Sequence, residues 1–254
     1  MEIFKHRFNK ESEKFISRRM VVKIGSSTIT GGGENLDIKF IENISQQAGF
    51  LFNNGVEILI VSSGAVKSGK KGLGSLNTAL DEQVAALFGQ PDVISEWRKA
   101  LNKSGVKKVG QLLIVEADLK SIKPLLDKAL HYGVVVANGN DSVNDYEIKM
   151  LLVSADNDRL AGFSAKAIDA DTLLLLTDTD GVLDKSGKTI DTFRKGEEVV
   201  IFPSSKTISI GGISSKIQVA QEFQGRAIIA NGRAKNVLLK VAQGKRVGTQ
   251  FNFT

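Results

Sequence analysis

Cysteine is absent from this 254-residue chain. That excludes a disulfide framework and any thiolate metal site, and it fits a reducing compartment such as the cytoplasm. Aromatic residues are sparse, with one Trp and two Tyr, so the stacking platforms common in single-strand nucleic-acid modules are not expected. No apolar run approaches the ~20 residues of a membrane span. Internal repeats, low-complexity linkers and a clean domain boundary are also missing. The formal net charge of +6 is spread along the sequence, which suits a solvated surface better than a polyanion-binding face.

The first nineteen residues are polar and carry both signs of charge. Basic Lys5, Arg7, Lys10, Lys14, Arg18 and Arg19 alternate with acidic Glu2, Glu11 and Glu13, without the apolar centre of a secretory signal. The expectation is a short leading helix or a frayed tail over 1–19, followed by one domain over 20–254.

Glycine is plentiful, at 25 residues, and lies among short aliphatic runs. Six runs read as buried strands: Met20 to Ile24, Glu57 to Ser62, Gly110 to Glu116, Gly133 to Asn138, Thr172 to Thr177 and Arg226 to Ala230. Between them lie stretches with helical spacing. Ile38, Ile41, Ile44, Ala48 and Leu51 make one stripe. A second runs from Val84 through Leu87 and Phe88 to Trp97, broken near Pro91. Leu125, Leu126, Ala129 and Leu130 make a third, Leu160, Ser164, Ala167 and Ile168 a fourth, and Ile217, Ala220 and Phe223 a fifth. Strands alternating with helices predict a three-layer α/β/α sandwich around a mostly parallel sheet. In such sheets ligands bind at the carboxyl ends of the strands, so the loops after each apolar run are where chemistry is sought.

Six loops have suitable residues. Lys23-Ile24-Gly25-Ser26 puts a lysine at the end of a buried strand, costly unless it meets an anion, and the N–H groups of Gly25 and Ser26 suit phosphate. Ser62-Ser63-Gly64-Ala65 leaves room for a substrate, although taken alone a plain helix cap by either serine is the favoured reading. Asn138-Gly139-Asn140-Asp141 combines amides with a carboxylate, as an amino-acid ligand needs, or makes a turn. Asp156-Asn157-Asp158 opens a helix and suits capping, magnesium, or the orientation of lysines. Thr177-Asp178 follows the most apolar strand. Gly211-Gly212 leads into a helix carrying Lys216 near its start, an anion-binding arrangement. A seventh stretch, Gly64 to Lys71, nearly spells a P-loop, but Lys71 stands where Ser or Thr must ligate magnesium. Lys67, Lys70 and Lys71 are expected on a solvated basic face instead.

The order VVKIGSS, VSSGA, NxND, DND, LLLTDTDG, GGxxxK, IxNG and a closing GT-F resembles the amino-acid kinase family, and most closely its glutamate 5-kinases, over roughly residues 20 to 251. The resemblance implies a substrate half at about 20–165 and a nucleotide half at about 166–254. It implies ATP and Mg²⁺ as cofactors, L-glutamate as the other substrate, and a homo-oligomer, dimer or tetramer, without nucleic-acid or membrane partners. Position by position, Lys23, Lys216 and Asp158 would be catalytic. Ser63, Asn138, Asp141 and Asn157 would hold glutamate. Lys23, Gly25, Ser26, Thr177, Asp178, Gly211, Gly212 and Lys216 would hold ATP. No protein metal ligand is implied, though Mg²⁺ on the ATP phosphates would lie near Asp156. The reaction needs no histidine, so His6 has no implied role and His131 reads as structural.

Three departures stand out. Gly139 replaces the Glu usual in bacterial relatives, the 141–156 stretch is longer, and Ser209-Ile210 replaces Gly-Thr. The RNA-modification-type domain that follows the kinase in many bacterial relatives has no counterpart before Thr254. Competing readings are a sibling kinase acting on acetylglutamate, aspartate or a nucleotide monophosphate, a P-loop NTPase, and a basic nucleic-acid-binding module.

Overall fold

A computed structural model describes residues 14–74, 77–114, 121–142, 157–184, 186–194 and 212–252. Several expectations concern residues outside these ranges: His6, Asp156, Ser209, Ile210 and Gly211, the end of the Gly110 to Glu116 run, and most of the 141–156 stretch.

Among the described residues eight strands form one sheet: β1 (Arg19–Ile24), β2 (Glu57–Ser62), β3 (Val109–Ile114), β4 (Val134–Gly139), β5 (Thr172–Thr177), β6 (Thr192–Arg194), β7 (Arg226–Asn231) and β8 (Thr249–Asn252). Their order is β3-β4-β2-β1-β5-β7-β8-β6. Every pairing is parallel except the antiparallel β7–β8 pair. The helices are α1 (Ser26–Thr30), α2 (Ile38–Asn53), α3 (Ala65–Gly69), α4 (Ala79–Lys103), α5 (Lys123–Tyr132), α6 (Asn157–Ala167), α7 (Ile213–Glu222) and α8 (Val237–Ala242).

Strand alternation divides the core in two. Met20, Val22 and Ile24 of β1 join Ile58 and Ile60, Leu174 and Leu176, packed under α2, α4 and α8. Val21, Leu59 with Val61, and Leu173 with Leu175 point the other way, under α5, α6 and α7. A strand covered on both faces has no solvent side to signal, so it reads as a continuous aliphatic run. The expected three-layer α/β/α sandwich is the observed fold. Among the described residues no helix is long and apolar enough to cross a membrane.

The structure corrects four details. Arg19 belongs to β1 rather than to a leading extension, and its guanidinium pairs with Glu57 and Asp127. Residues 14–18 form no helix: Phe15 packs edge-on against Phe50, and the Ile16 and Ser17 N–H groups donate to Ala242 O. Helix α4 runs unbroken through Pro91, opened by a capping box between Thr78 and Asp81. Leu87, Phe88 and Pro91 share an exposed stretch of the helix, whereas Ala85, Ala86, Gly89, Val93, Trp97 and Leu101 are buried. Their burial offsets the ~3 kcal/mol of an internal proline. Finally, Ile38 and Leu125, expected on buried stripes, are exposed.

Candidate active site

The carboxyl ends of β1, β2, β4 and β5 lie side by side, so the loops following them converge. At the end of β1, Lys23 is buried, its side chain 5% exposed. Its side chain takes the face of Val21, toward α6. There it meets Asp158, fully buried in the first turn of α6. Lys23 Nζ lies 2.6 Å from Asp158 Oδ1, and Lys216 Nζ of α7 lies 3.0 Å from Asp158 Oδ2. One carboxylate thus bridges two ammonium groups in a place largely closed to water, an arrangement suited to receiving an anion.

Gly162, one turn beyond Asp158, allows α6 and α7 to approach. A Cβ at 162 would stand 2.7 Å from Val219 Cγ1, and Val219 lies one turn beyond Lys216. Gly25 caps α1 without a side-chain contact, and a Cβ there would meet Lys23 Nζ at 3.4 Å. Ser26 is exposed in the first turn of α1, and Gly212 caps α7.

A second group of side chains lies at the ends of β2 and β4. Asn157 Nδ2 donates to Ser63 Oγ at 2.7 Å and to Asn138 Oδ1 at 3.0 Å. Asn138 Oδ1 also accepts from the Gly139 N–H, and Asn138 Nδ2 donates to Gln90 Oε1 at 2.7 Å. Asp141 Oδ1 and Asn157 Oδ1 both face the side-chain position of Gly139, at 3.2 and 3.5 Å from a Cβ built there. Neither serine is a helix cap: Gly64, at φ +110, caps α3. Ser62 Oγ instead accepts from the buried Trp97 indole and donates to Ser63 O.

The third group is at the end of β5. Thr177 is half-buried, with its carbonyl accepting from the Gly232 N–H, and Asp178 is exposed. Beside them Asn231 Nδ2 donates to Asp180 Oδ1 at 2.9 Å. His131 is exposed at the end of α5, edge-on to Tyr132 and remote from these groups in sequence and fold.

The P-loop-like stretch has a different use. Gly69 lies inside α3, where a Cβ would come within 1.9 Å of Ala85 O of α4, and a Cβ at Gly89 would come as close to Ala65 O. These glycines permit backbone contact between two helices. Lys70 and Lys71 are exposed as expected, but Lys67 is half-buried and donates to Thr30 Oγ1 at 3.3 Å.

Among the described residues, no group of three or more His, Asp or Glu is placed to hold a metal ion. Asp158 in particular has a lysine on each oxygen. The protein residues described do not fit a resident metal.

The model of the amino acid kinase family matches residues 18–228. The chain belongs to that family. It is 35% identical to the glutamate 5-kinase of Thermoanaerobacter sp. (strain X514) over 92% of this chain and 67% of that one. It is 33% identical to that of Methanosarcina mazei, over 95% and 70%, and 33% identical to that of Shewanella amazonensis, over 92% and 66%. It thus spans about two thirds of the length of these relatives. The UMP kinase of Bacillus anthracis shares the fold, with a TM-score of 0.62 at 14% identity over 93% of this chain and 96% of that one. Gln90 and Gly162, which touch these groups, belong to none of the six loops, and Asn231 lies in the IxNG run without an implied role.

Proposed function

We propose that this protein transfers the γ-phosphoryl group of ATP to the γ-carboxylate of L-glutamate, giving glutamyl 5-phosphate and ADP, the acyl phosphate that opens proline biosynthesis. The observation that carries the reading is the Lys23–Asp158–Lys216 bridge beside a cluster of amides and a carboxylate.

The chemistry follows from charge. A γ-carboxylate is already ionised at neutral pH, with an ordinary pKa near 4.3, so no general base is required. One carboxylate oxygen attacks the γ-phosphorus as the bond to the β,γ-bridging oxygen breaks and that electron pair leaves on ADP. The barrier to be lowered is repulsion between two anions. In this reading Lys23 and Lys216 share the charge of attacking, transferring and leaving oxygens. Asp158 fixes both ammonium groups before substrate arrives, so they need not reorganise during transfer. The backbone of Gly25, Ser26, Gly211 and Gly212 approaches the phosphates in this reading. Thr177 and Asp178 serve the nucleotide, within a nucleotide half at about 166–254.

Glutamate occupies the substrate half at about 20–165. Asp141 and the Oδ1 of Asn157, both near the side-chain position of Gly139, take the α-ammonium. Ser63 and Asn138 fix the rest of the backbone of the substrate. Mg²⁺, if bound, would be carried by the ATP phosphates and would screen their charge. We read the enzyme as a cytoplasmic homo-oligomer. The edge strand β3 and exposed Leu87 and Phe88 of α4 offer apolar surface for association.

The test is a screen of ATP turnover against free amino acids with hydroxylamine present to trap the acyl phosphate. Hydroxamate formed with L-glutamate is the expected result. ATP turnover with a nucleotide monophosphate or aspartate in its place would favour a sibling kinase.

A further inference from the structure

We infer that Gln90, in the middle of α4, is a positioning residue of the amino-acid site that, together with the Gly139 N–H, holds the direction in which its amides point. The inference rests on the glutamate-kinase reading and extends it to a helix that contributes none of the loops.

The argument is one of donors and acceptors. A side-chain amide has one accepting oxygen and one donating NH₂, and its orientation must match what its neighbours can give and take. Here the neighbours decide. The Gly139 N–H can only donate, so the Asn138 atom facing it, at 2.9 Å, is Oδ1. The other end of Asn138 is then Nδ2, and its partner at 2.7 Å on Gln90 must be an acceptor, Oε1. Because Asn138 Oδ1 accepts, the Asn157 atom at 3.0 Å from it is the NH₂, whose other hydrogen goes to Ser63 Oγ. Both hydrogens of Asn157 are thereby used, and its Oδ1 is the end left toward Gly139 and Asp141. Two oxygens at that position make an acceptor pair suited to an ammonium group. The Gly139 N–H holds one end of Asn138 and Gln90 holds the other. Without the Gln90 acceptor the Asn138 NH₂ loses its partner, and the Asn138 side chain, with Asn157 behind it, is held at one end only.

The helix is held so that Gln90 cannot drift. Its neighbour Gly89 packs backbone to backbone on α3, and Trp97, two turns further on, is tied to Ser62 at 2.9 Å. Gln90 thus acts through Asn138 and Asn157 rather than on the reacting atoms.

The experiment compares wild type, Q90E, Q90L and Q90M by steady-state hydroxamate formation, with thermal melts to establish folding. Q90E keeps an acceptor, and a charge-assisted one, so its glutamate KM stays within about threefold of wild type. Q90L and Q90M remove the acceptor and raise glutamate KM about tenfold, the scale of one net hydrogen bond. Their kcat and ATP KM stay within a few-fold, because the interaction serves binding rather than the transition state. A purely structural role would instead lower melting temperature without moving KM. An unchanged KM in folded Q90L and Q90M, or Q90E as impaired as Q90L, overturns the inference. Substrate-independent support comes from NMR: the Asn138 side-chain NH₂ exchanges slowly in wild type and Q90E and faster in Q90L. Equal exchange in all three overturns it even if wild type proves inactive on glutamate, a result that by itself counts against the proposed reaction.

Discussion

The Nζ of Lys216 lies 3.0 Å from Oδ2 of Asp158, although the two residues stand on different helices. Their meeting depends on how closely α6 and α7 pack, and on a carboxylate whose other oxygen holds Lys23 at 2.6 Å. Phosphoryl transfer in the proposed reaction runs through this bridge.

Removing the ammonium of Lys216 should lower kcat by about 10²–10³, the cost of one transition-state electrostatic contact. Glutamate KM should change little in Lys216→Ala. Lys216→Arg should recover only part, because a planar fork does not replace a compact point charge. Lys240→Ala on α8, outside every site loop, serves as the near-neutral control. Normal folding with wild-type kcat in Lys216→Ala would place phosphoryl transfer elsewhere, whatever the acceptor.

Gly162→Ala should act on the same bridge from a distance. Its Cβ would meet Val219 Cγ1 at 2.7 Å, and a β-branched side chain in a helix has few rotamers with which to yield. The helices must shift, and Lys216 with them. A displacement below an ångström at a transferring phosphoryl group should cost roughly tenfold or more in kcat. Trimming the obstacle in the Gly162→Ala/Val219→Ala double variant should restore kcat, even though the buried Val219→Ala change lowers stability. Failure of the second change to rescue would separate Gly162 from the bridge.

Lys70→Ala and Lys71→Ala should leave kcat within a few-fold, because both side chains are exposed and Gly69 packs on α4 instead of on phosphate. A loss of a hundredfold or more, on the scale of a missing transition-state contact, would revive the P-loop reading.

Acid stability offers a check on α2. Asp37 Oδ1 accepts from the Phe40 N–H at 3.0 Å, and Oδ2 pairs with Arg233 at 2.9 Å. Partial burial pushes this carboxyl up, but the Phe40 N–H and the Arg233 guanidinium outweigh it and hold the pKa below the usual Asp value. A depressed folded pKa contributes stability above the unfolded value of about 3.9, and the contribution is lost as pH falls through the folded value. Melting curves of Asp37→Asn should therefore lie below wild type at neutral pH and converge with it below about pH 4. A gap that persists in acid would assign the effect to packing.

Much of the fold was legible because buried parallel strands announce themselves. EILIVS and TLLLLT were bounded correctly as β2 and β5, each a single aliphatic run closed by a hydroxyl residue. The short β6 and β8 carry no such run and went unseen. β8 pairs with β7 and β6 from the far side of the sheet, and its TQFN sequence becomes a strand only through those neighbours. Pro91 misled for the opposite reason: a local breaking rule was overruled by packing along α4. In the site, Lys23, Ser63 and Asn138 end or follow apolar runs, Asn157 and Asp158 open a helix, and the structure brings them together. Gln90 sits inside a helix with no motif around it, and its link to Asn138, 48 residues away, exists only once α4 is laid across the sheet. Gly162 and Gly89 are likewise meaningful only against a partner helix.

The proposed reaction is tested most directly by hydroxamate formation from L-glutamate and from N-acetyl-L-glutamate under the same saturating ATP. Acetylation removes the ammonium that Asp141 and Asn157 are proposed to accept while leaving the γ-carboxylate intact. Asp141→Asn, which weakens the same contact in ground and transition states alike, should raise glutamate KM with little change in kcat. Rapid hydroxamate formation from L-glutamate and almost none from the acetylated compound is the predicted result. Equal or better turnover of N-acetyl-L-glutamate would contradict it.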